Sequence, residues 1–234
     1  MATYQLQLAH LYGNLLNTYG DLGNIMALKY YGSLLDIDVA SRVVSVEDDF
    51  KAADYDLMVI GAGQKFEQSI ALEDIPSKHD ELAKYIENNQ PLLAVGEGYQ
   101  LLGQSYIDQH GNKVAGAGLL SHRSELPADQ EPIQDDLVVK TKWGLNYHGH
   151  ENHDLVTYLG KDEQPLGKVI EGVGNNQDDD TEGAIYKNVF CTNMHTVLDR
   201  NGDLAKRMLI TALVNKYPDA DLTPQREFKI EPTY

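Results

Sequence analysis

The sequence predicts an α/β fold over residues 1–234, read as one domain: a mainly parallel central sheet between helical layers, with antiparallel strands in the C-terminal half. Three observations carry this. The stretch PLLAVGEGYQLLG at 91–103 is an apolar run of strand length that breaks on small residues straight into an amphipathic segment, as a buried parallel strand does when it feeds a sharp turn. Up to Gly103 the pattern alternates in the order β-α-β-β-α-β-α, which implies parallel strands joined by helices on both faces. Beyond Gly103 the period is 2 and hairpin turns enter, the marks of antiparallel pairing.

Residues 4–12 alternate as a first strand, followed by turn-formers at Gly13-Asn14 and Tyr19-Gly20-Asp21. Within 24–35, Ile25, Leu28, Tyr31, Leu34 and Leu35 fall at helical spacing. Residues 37–46 form a second strand and 55–60 a third, which stops at Gly61-Ala62-Gly63-Gln64. That loop is small enough to present backbone N–H groups to a ligand, or simply to turn tightly. A helix over 79–89, with Leu82, Tyr85 and Ile86 on one face, delivers the chain to the strand at 92–95. His110-Gly111-Asn112 is a hairpin turn within 106–118, and 137–143 alternates as a strand. The acidic segments 129–136 and 175–180 read as surface loops, the second without the ligand spacing of a calcium loop. A strand at 189–192, a turn at 197–201 and a final helix over 203–217 complete the chain.

Charge narrows the partners. Lys plus Arg number 19 against 36 Asp plus Glu, and the net charge of -17 argues against nucleic acid and anionic membranes. Basic partners or neutral small molecules fit better. The single cysteine, Cys191, excludes an intrachain disulfide framework. The N-terminal residues lack the basic and apolar regions of a signal peptide, and no apolar run approaches a membrane span, so the expected setting is cytoplasmic without membrane insertion.

Open α/β sheets put their reactive groups at strand carboxyl ends, which makes the turn after residue 95 the expected seat of chemistry. Its tip is Gly96-Glu97, which offers neither thiol nor hydroxyl. His148, His150, Glu151 and His153 resemble metal ligands along a strand, yet no cysteine or fourth ligand at a recognised spacing completes a set, and no metal is expected. His195, at the exit of the strand 189–192, is open to two readings, catalytic base or structural histidine.

Several motifs converge on one family. Asn17-Thr18-Tyr19-Gly20-Asp21 with Gly23-Asn24, Gly61-Ala62-Gly63-Gln64 with Glu67-Gln68, and Gly98-Tyr99-Gln100-Leu101-Leu102-Gly103 stand in order. Glu151-Asn152-His153, Thr157-Tyr158-Leu159-Gly160, Gly174-Asn175-Asn176, Glu182-Gly183 and Thr192-Asn193-Met194-His195 continue the series. Over nearly its whole length the chain resembles the CobB/CobQ-like class I glutamine amidotransferases, and within them the GatD-type glutaminase subunits of lipid II isoglutaminyl synthase.

The resemblance implies a flavodoxin-like, three-layer amidotransferase fold. It implies a reaction in which a thiolate at the elbow turn attacks the glutamine side-chain amide while a histidine moves the proton to departing ammonia and backbone N–H groups hold the oxyanion. A Mur-ligase-like subunit, MurT, then uses the ammonia to amidate the D-glutamate of lipid II. No cofactor is implied. Carried over residue by residue, His195 is the base, Gly96 takes the position of the nucleophilic cysteine, Gly61, Gly63 and Gln64 lie by the oxyanion hole, and Gln100 supports the elbow. The departures are specific: Gly96 replaces the cysteine, Glu97 replaces the glycine after it, and Thr196-Val197 replace a Gly-Pro.

Nothing nearby restores a nucleophile. Cys191 lies four residues before His195, about 13 Å along extended chain, and is expected to be a buried apolar side chain. Glu97 falls in the first turn of the helix that opens at Tyr99, where the helix dipole is expected to depress its basicity, and it is expected to pair with His195 whenever that is protonated. Two functions follow: a glutaminase subunit with impaired or absent turnover, or a non-catalytic amidotransferase-like protein that binds a partner or small molecule, glutamine among them. A cobyric acid synthase-like amidotransferase is a further alternative.

Overall fold

The computed structural model describes residues 3–108, 110–127 and 131–224. Its elements in chain order begin β1 (Tyr4–Leu11), α1 (Leu22–Leu34), β2 (Ile37–Val44), β3 (Leu57–Ile60), α2 (Lys65–Glu87), β4 (Leu92–Val95) and α3 (Glu97–Leu102). This first half is the predicted alternation. Strands β5 (Ser105–Ile107), β6 (Lys113–Ala115), β7 (Arg123–Glu125), β8 (Ile133–Thr141), β9 (Asn146–His153), β10 (Val156–Tyr158) and β11 (Gly167–Glu171) follow. The chain then forms β12 (Thr181–Glu182), β13 (Ala184–Tyr186), β14 (Val189–Thr192), β15 (Met194–His195), α4 (Val197–Arg200) and α5 (Gly202–Lys216).

The central sheet has six strands in the order β13-β14-β4-β3-β1-β2, every neighbouring pair parallel except β13 with β14. Its strands are apolar on both faces, and successive residues serve opposite layers. Leu57, Val59, Leu93 and Val95 pack with residues of α1 and α5, including Leu28 and Leu209. Met58, Ile60, Leu92 and Ala94 pack with residues of α2 and α3, including Leu82 and Leu101. Alternation on a strand buried on both sides therefore produces the three layers.

The C-terminal half adds two sheets. One is four-stranded, β10-β7-β5-β6, and contains the predicted hairpin: β5 and β6 pair antiparallel, with Gly111 at φ 76° in the turn. The other is five-stranded and antiparallel, β12-β11-β8-β9-β15. Its edge strand β15 leaves the central sheet directly after β14 and pairs His195 with His150.

Beyond shifts of a residue or two at element ends, the structure departs from the sequence reading in several places. Helix α2 begins at Lys65, not 79, and runs through Pro76, whose missing N–H interrupts the backbone ladder. Of the loop expected at 129–136, Asp129 and Gln130 lie outside the described residues, while Ile133 already opens β8. Trp143, placed in a strand by its period, sits in the β8–β9 turn. The turn at 197–201 contains one turn of helix. Among the described residues, no helix is long and apolar enough to cross a membrane.

Candidate functional site

Parallel strands β3, β4 and β14 end side by side, and their exits build the site. Strand β4 ends at Gly96, which carries φ 53° and ψ -115° before α3 begins at Glu97. That backbone is open to glycine and strained for any residue with a side chain. Two hydrogen bonds hold it: Gly96 N–H donates to the Thr192 carbonyl of β14 at 2.9 Å, and Gln100 N–H donates to the Gly96 carbonyl at 3.0 Å. A Cβ at position 96 would lie 2.9 Å from Ala62 Cβ and 3.5 Å from His195 Cε1. The turn thus aims position 96 at the histidine, as a nucleophile's turn would. The next glycine, Gly98, is required by close approach, since a Cβ there would meet the Gly61 carbonyl oxygen at 2.7 Å.

The loop after β3 supplies backbone donors. Ala62 N–H donates to Asp21 Oδ2 at 2.7 Å, which anchors the loop to the start of α1. Gly63 N–H donates to Glu97 Oε2 at 3.1 Å. This donor, Gly63 N–H, is therefore taken by the side chain that follows the elbow. Burial pushes the Glu97 carboxyl up to about 7, with its own backbone N–H and that of Gly63 pulling the other way. This corrects the expectation from the helix dipole: α3 has six residues, and loss of water around the carboxylate outweighs it. Glu97 joins Tyr19, Gly63, Gln64, Lys65, Phe66, Asn152 and Asp154 in lining a cleft of about 490 Å³. Across it, Lys65 Nζ and Asp154 Oδ2 are 2.6 Å apart.

His195 is 4% exposed, and neither ring nitrogen has a hydrogen-bond partner among the described residues. Burial lowers its pKa to about 4, with the Asn152 backbone pulling the other way and His150 and His153 adding smaller contributions to the lowering, so the ring is neutral at pH 7. Its contact is Tyr19, whose ring centroid lies 4.4 Å away at 31°. The pairing with Glu97 was expected only for a protonated ring, and a neutral imidazole offers the carboxylate no charge.

Polar groups behind the elbow fix its shape. Gln68 Nε2 donates to the Glu97 carbonyl at 3.1 Å and to Gln100 Oε1 at 3.2 Å, so Gln100 reaches the elbow through Gln68. Glu182 accepts from the Thr192 hydroxyl at 2.6 Å and from Asn193 N–H at 2.8 Å, holding the β14–β15 corner that carries His195. Glu151 accepts from Val173 N–H, Gly174 N–H and His153 Nε2 at 2.6, 2.8 and 3.1 Å. Burial opposes charge on His153, but Glu151, the Leu155 carbonyl and Glu182 outweigh it and raise its pKa.

The structure brings Gly96, Glu97, Gly63, Gln64 and His195 together around the elbow and its cleft. Gly61 packs beneath the loop against Leu16 and Asp21 and does not line the cleft. On β9, Glu151 and His153 point into the protein while His148 and His150 are half-exposed, so the four divide between two faces. Among the described residues no group of three or more histidine, cysteine or acidic side chains could hold a metal. Cys191 is fully buried on β14 opposite Ala94, and burial holds its thiol far above the ordinary range. Tyr19, Lys65 and Asp154 were not singled out from sequence. Asp154 follows the quoted Glu151-Asn152-His153, and Tyr19 lies inside the quoted opening motif, but no spacing rule places either against an elbow 50 or more residues away.

A three-layer sheet with a positive-φ elbow, a backbone-donor loop and a histidine converging at its strand exits is the architecture of class I glutamine amidotransferases. A solved glutamine amidotransferase superposes with a TM-score of 0.54, covering 87% of this chain and 98% of its own at 17% identity. Residues 7–202 match the CobB/CobQ-like glutamine amidotransferase domain, and the chain belongs to that family. It is 44% identical to the lipid II isoglutaminyl synthase (glutamine-hydrolyzing) subunit GatD of Streptococcus pneumoniae, over 92% of this chain and 83% of that protein. It is 31% identical to the subunit of the same name from Staphylococcus aureus, over 91% and 86%. A probable cobyric acid synthase of Methanosphaera stadtmanae is more distant, at 26% identity over 76% of this chain and 37% of that protein.

Proposed function

We propose that this chain is a GatD-type subunit of a lipid II isoglutaminyl synthase complex that does not hydrolyse glutamine at an ordinary enzymatic rate, and that its partner is a Mur-ligase-like MurT subunit. The assignment to a subunit of this kind is supported by 44% identity over 92% of the chain. The loss of turnover is supported by one observation: the turn that should present a thiol to His195 ends in Gly96, with an internal carboxylate on the loop N–H beside it.

Amide hydrolysis here would need an attacking group at position 96, a base for its proton and donors for the oxyanion. Glycine supplies no attacking group. A water in its place would depend on His195, whose low pKa makes it a weak base. The Gly63 N–H, the donor expected to hold the oxyanion, already serves Glu97. Losing a covalent nucleophile alone removes several powers of ten in rate, on the order of 10⁴–10⁶.

Ammonia release from glutamine, measured for the purified chain alone and with a MurT-like subunit, tests this. The expected result is background release in both, unchanged in His195→Ala. Release at ordinary enzyme rates that disappears in His195→Ala would overturn it.

A further inference from the structure

A second cavity, of about 530 Å³, lies at the opposite end of the central sheet. Asn188, on its wall, accepts a hydrogen bond from Leu92 N–H at the start of β4, whereas the elbow follows the end of that strand, about 10 Å further on. Its lining is basic in a strongly acidic protein. Lys142, Lys206 and Arg207 line it with one carboxylate, Asp203, and Lys187 joins them while paired with Glu87 outside the lining, in a chain that as a whole carries -17. These residues come from three separate segments, the β8–β9 turn, the β13–β14 turn and α5, so local sequence does not explain their convergence.

The acid in this cavity acts as a support. Asp203 accepts from Arg207 Nε at 2.7 Å and from the Tyr147 hydroxyl at 2.7 Å. This holds the Arg207 guanidinium 4.0 Å above the Trp143 ring centroid, on the cavity wall. Lys142 lies over the same ring at 5.6 Å. Trp143, Ile185, Phe190 and Ile210 form the apolar part of the wall. A volume of this size, part apolar with a few convergent charges, suits a small molecule. Because the protein's overall field repels anions, a single carboxylate gains little here, whereas a multiply charged group engages several cations at once.

We propose that this cavity binds a small phosphorylated metabolite, its phosphate groups meeting Lys142, Lys206 and Arg207 and its flat or apolar part lying on the Trp143 wall. The site is independent of the elbow, so its test does not depend on glutamine chemistry.

Trp143 is the chain's only tryptophan and therefore reports on this cavity alone. The full chain is titrated with ATP, inorganic pyrophosphate and citrate while Trp143 fluorescence is followed, with calorimetry in parallel. The expected result is saturable binding of ATP, weaker binding of pyrophosphate, and weakening with added salt. The double variant Lys142→Ala/Lys206→Ala should lose about tenfold or more in ATP affinity, and the single variant Lys142→Glu should lose a similar amount should the double variant fold poorly. Three results would overturn the proposal: no saturable response to ATP or pyrophosphate up to about 10 mM, equal binding to wild type and both variants, or citrate binding more tightly than ATP.

Discussion

Replacing Glu97 with glutamine isolates the cost of keeping a carboxylate on the floor of the cleft. The substitution preserves shape and leaves an oxygen to accept from Gly63 N–H, while removing the charge. Burial raises the Glu97 pKa from 4.5 to about 7, so between those values the folded protein holds a proton that the unfolded chain has released. Stability at this site is therefore full below pH 4.5 and is lost as pH rises through 7. At 1.36 kcal/mol per pH unit the loss amounts to about 3 kcal/mol, an upper value because the side chain is only half-buried. His195 works in the opposite sense: its folded pKa of about 4 lies below 6.5, so its contribution is lost as pH falls through that interval. The two nearly cancel in the wild type between pH 4.5 and 6.5, and only the comparison with Glu97→Gln separates them. Urea denaturation from pH 5 to 9 should show the variant gaining on wild type as pH rises, by about 2–3 kcal/mol at pH 8, or about 4–10 °C in Tm. Parallel pH profiles would refute the reasoning and place Glu97 in a water-accessible setting.

Three further outcomes are expected. Gly96→Cys/Glu97→Gly should be alkylated at position 96 by a glutamine-like electrophile at least about tenfold faster than Gly96→Cys, because a neighbouring carboxylate opposes the thiolate, and His195→Ala should slow the double variant; equal rates would show that Glu97 does not obstruct the cleft. Thr196, at φ 57° and ψ 28°, is a β-branched residue in left-handed backbone, so Thr196→Gly should stabilise by about 1 kcal/mol, and a loss in urea midpoint would contradict this. Glu182→Ala leaves the buried Thr192 hydroxyl and Asn193 N–H without their acceptor and should cost about 2–4 kcal/mol, with a change under about 0.5 kcal/mol counting against the corner's dependence on it.

The central sheet was legible because its strands are short apolar runs bounded by glycines, and the order of elements through α3 follows from that pattern. The first half of α2 was not. Residues 65–78 mix Pro76 with Asp74, Lys78 and two glutamates, and what holds them helical is tertiary: Tyr12 donates to Asp74 at 2.8 Å across 62 residues, with Lys78 on the same carboxylate. The metal-like spacing on β9 dissolves for a related reason, since alternation sends Glu151 and His153 inward and leaves His148 and His150 on the other face. At the elbow, the pattern of an apolar run ending in small residues located the turn at position 96. It carried no information on the direction of the Glu97 side chain, and the helix-dipole argument, sound for an exposed residue, gave the wrong sign once burial was included.

Gly96 and Glu97 act on the fold in opposite directions. At φ 53° and ψ -115°, a side chain would add strain and press on Ala62 at 2.9 Å, so glycine at 96 relaxes a turn that a nucleophile must hold under tension. Glu97 adds a half-buried carboxylate whose charge costs stability at neutral pH. Relief of strain therefore accounts for position 96 and fails to account for position 97. What Glu97 supplies instead is an acceptor for Gly63 N–H, a donor that would otherwise face the cleft without a partner from the protein. The internal carboxylate and a bound amide oxygen compete for that same donor. Because the carboxylate gives up its charge near pH 7, competition should be strongest above that pH, and glutamine should bind more tightly at pH 6 than at pH 8. Calorimetric titration at both values measures this, and equal or reversed affinities would show that the Gly63 N–H takes no part in holding the ligand.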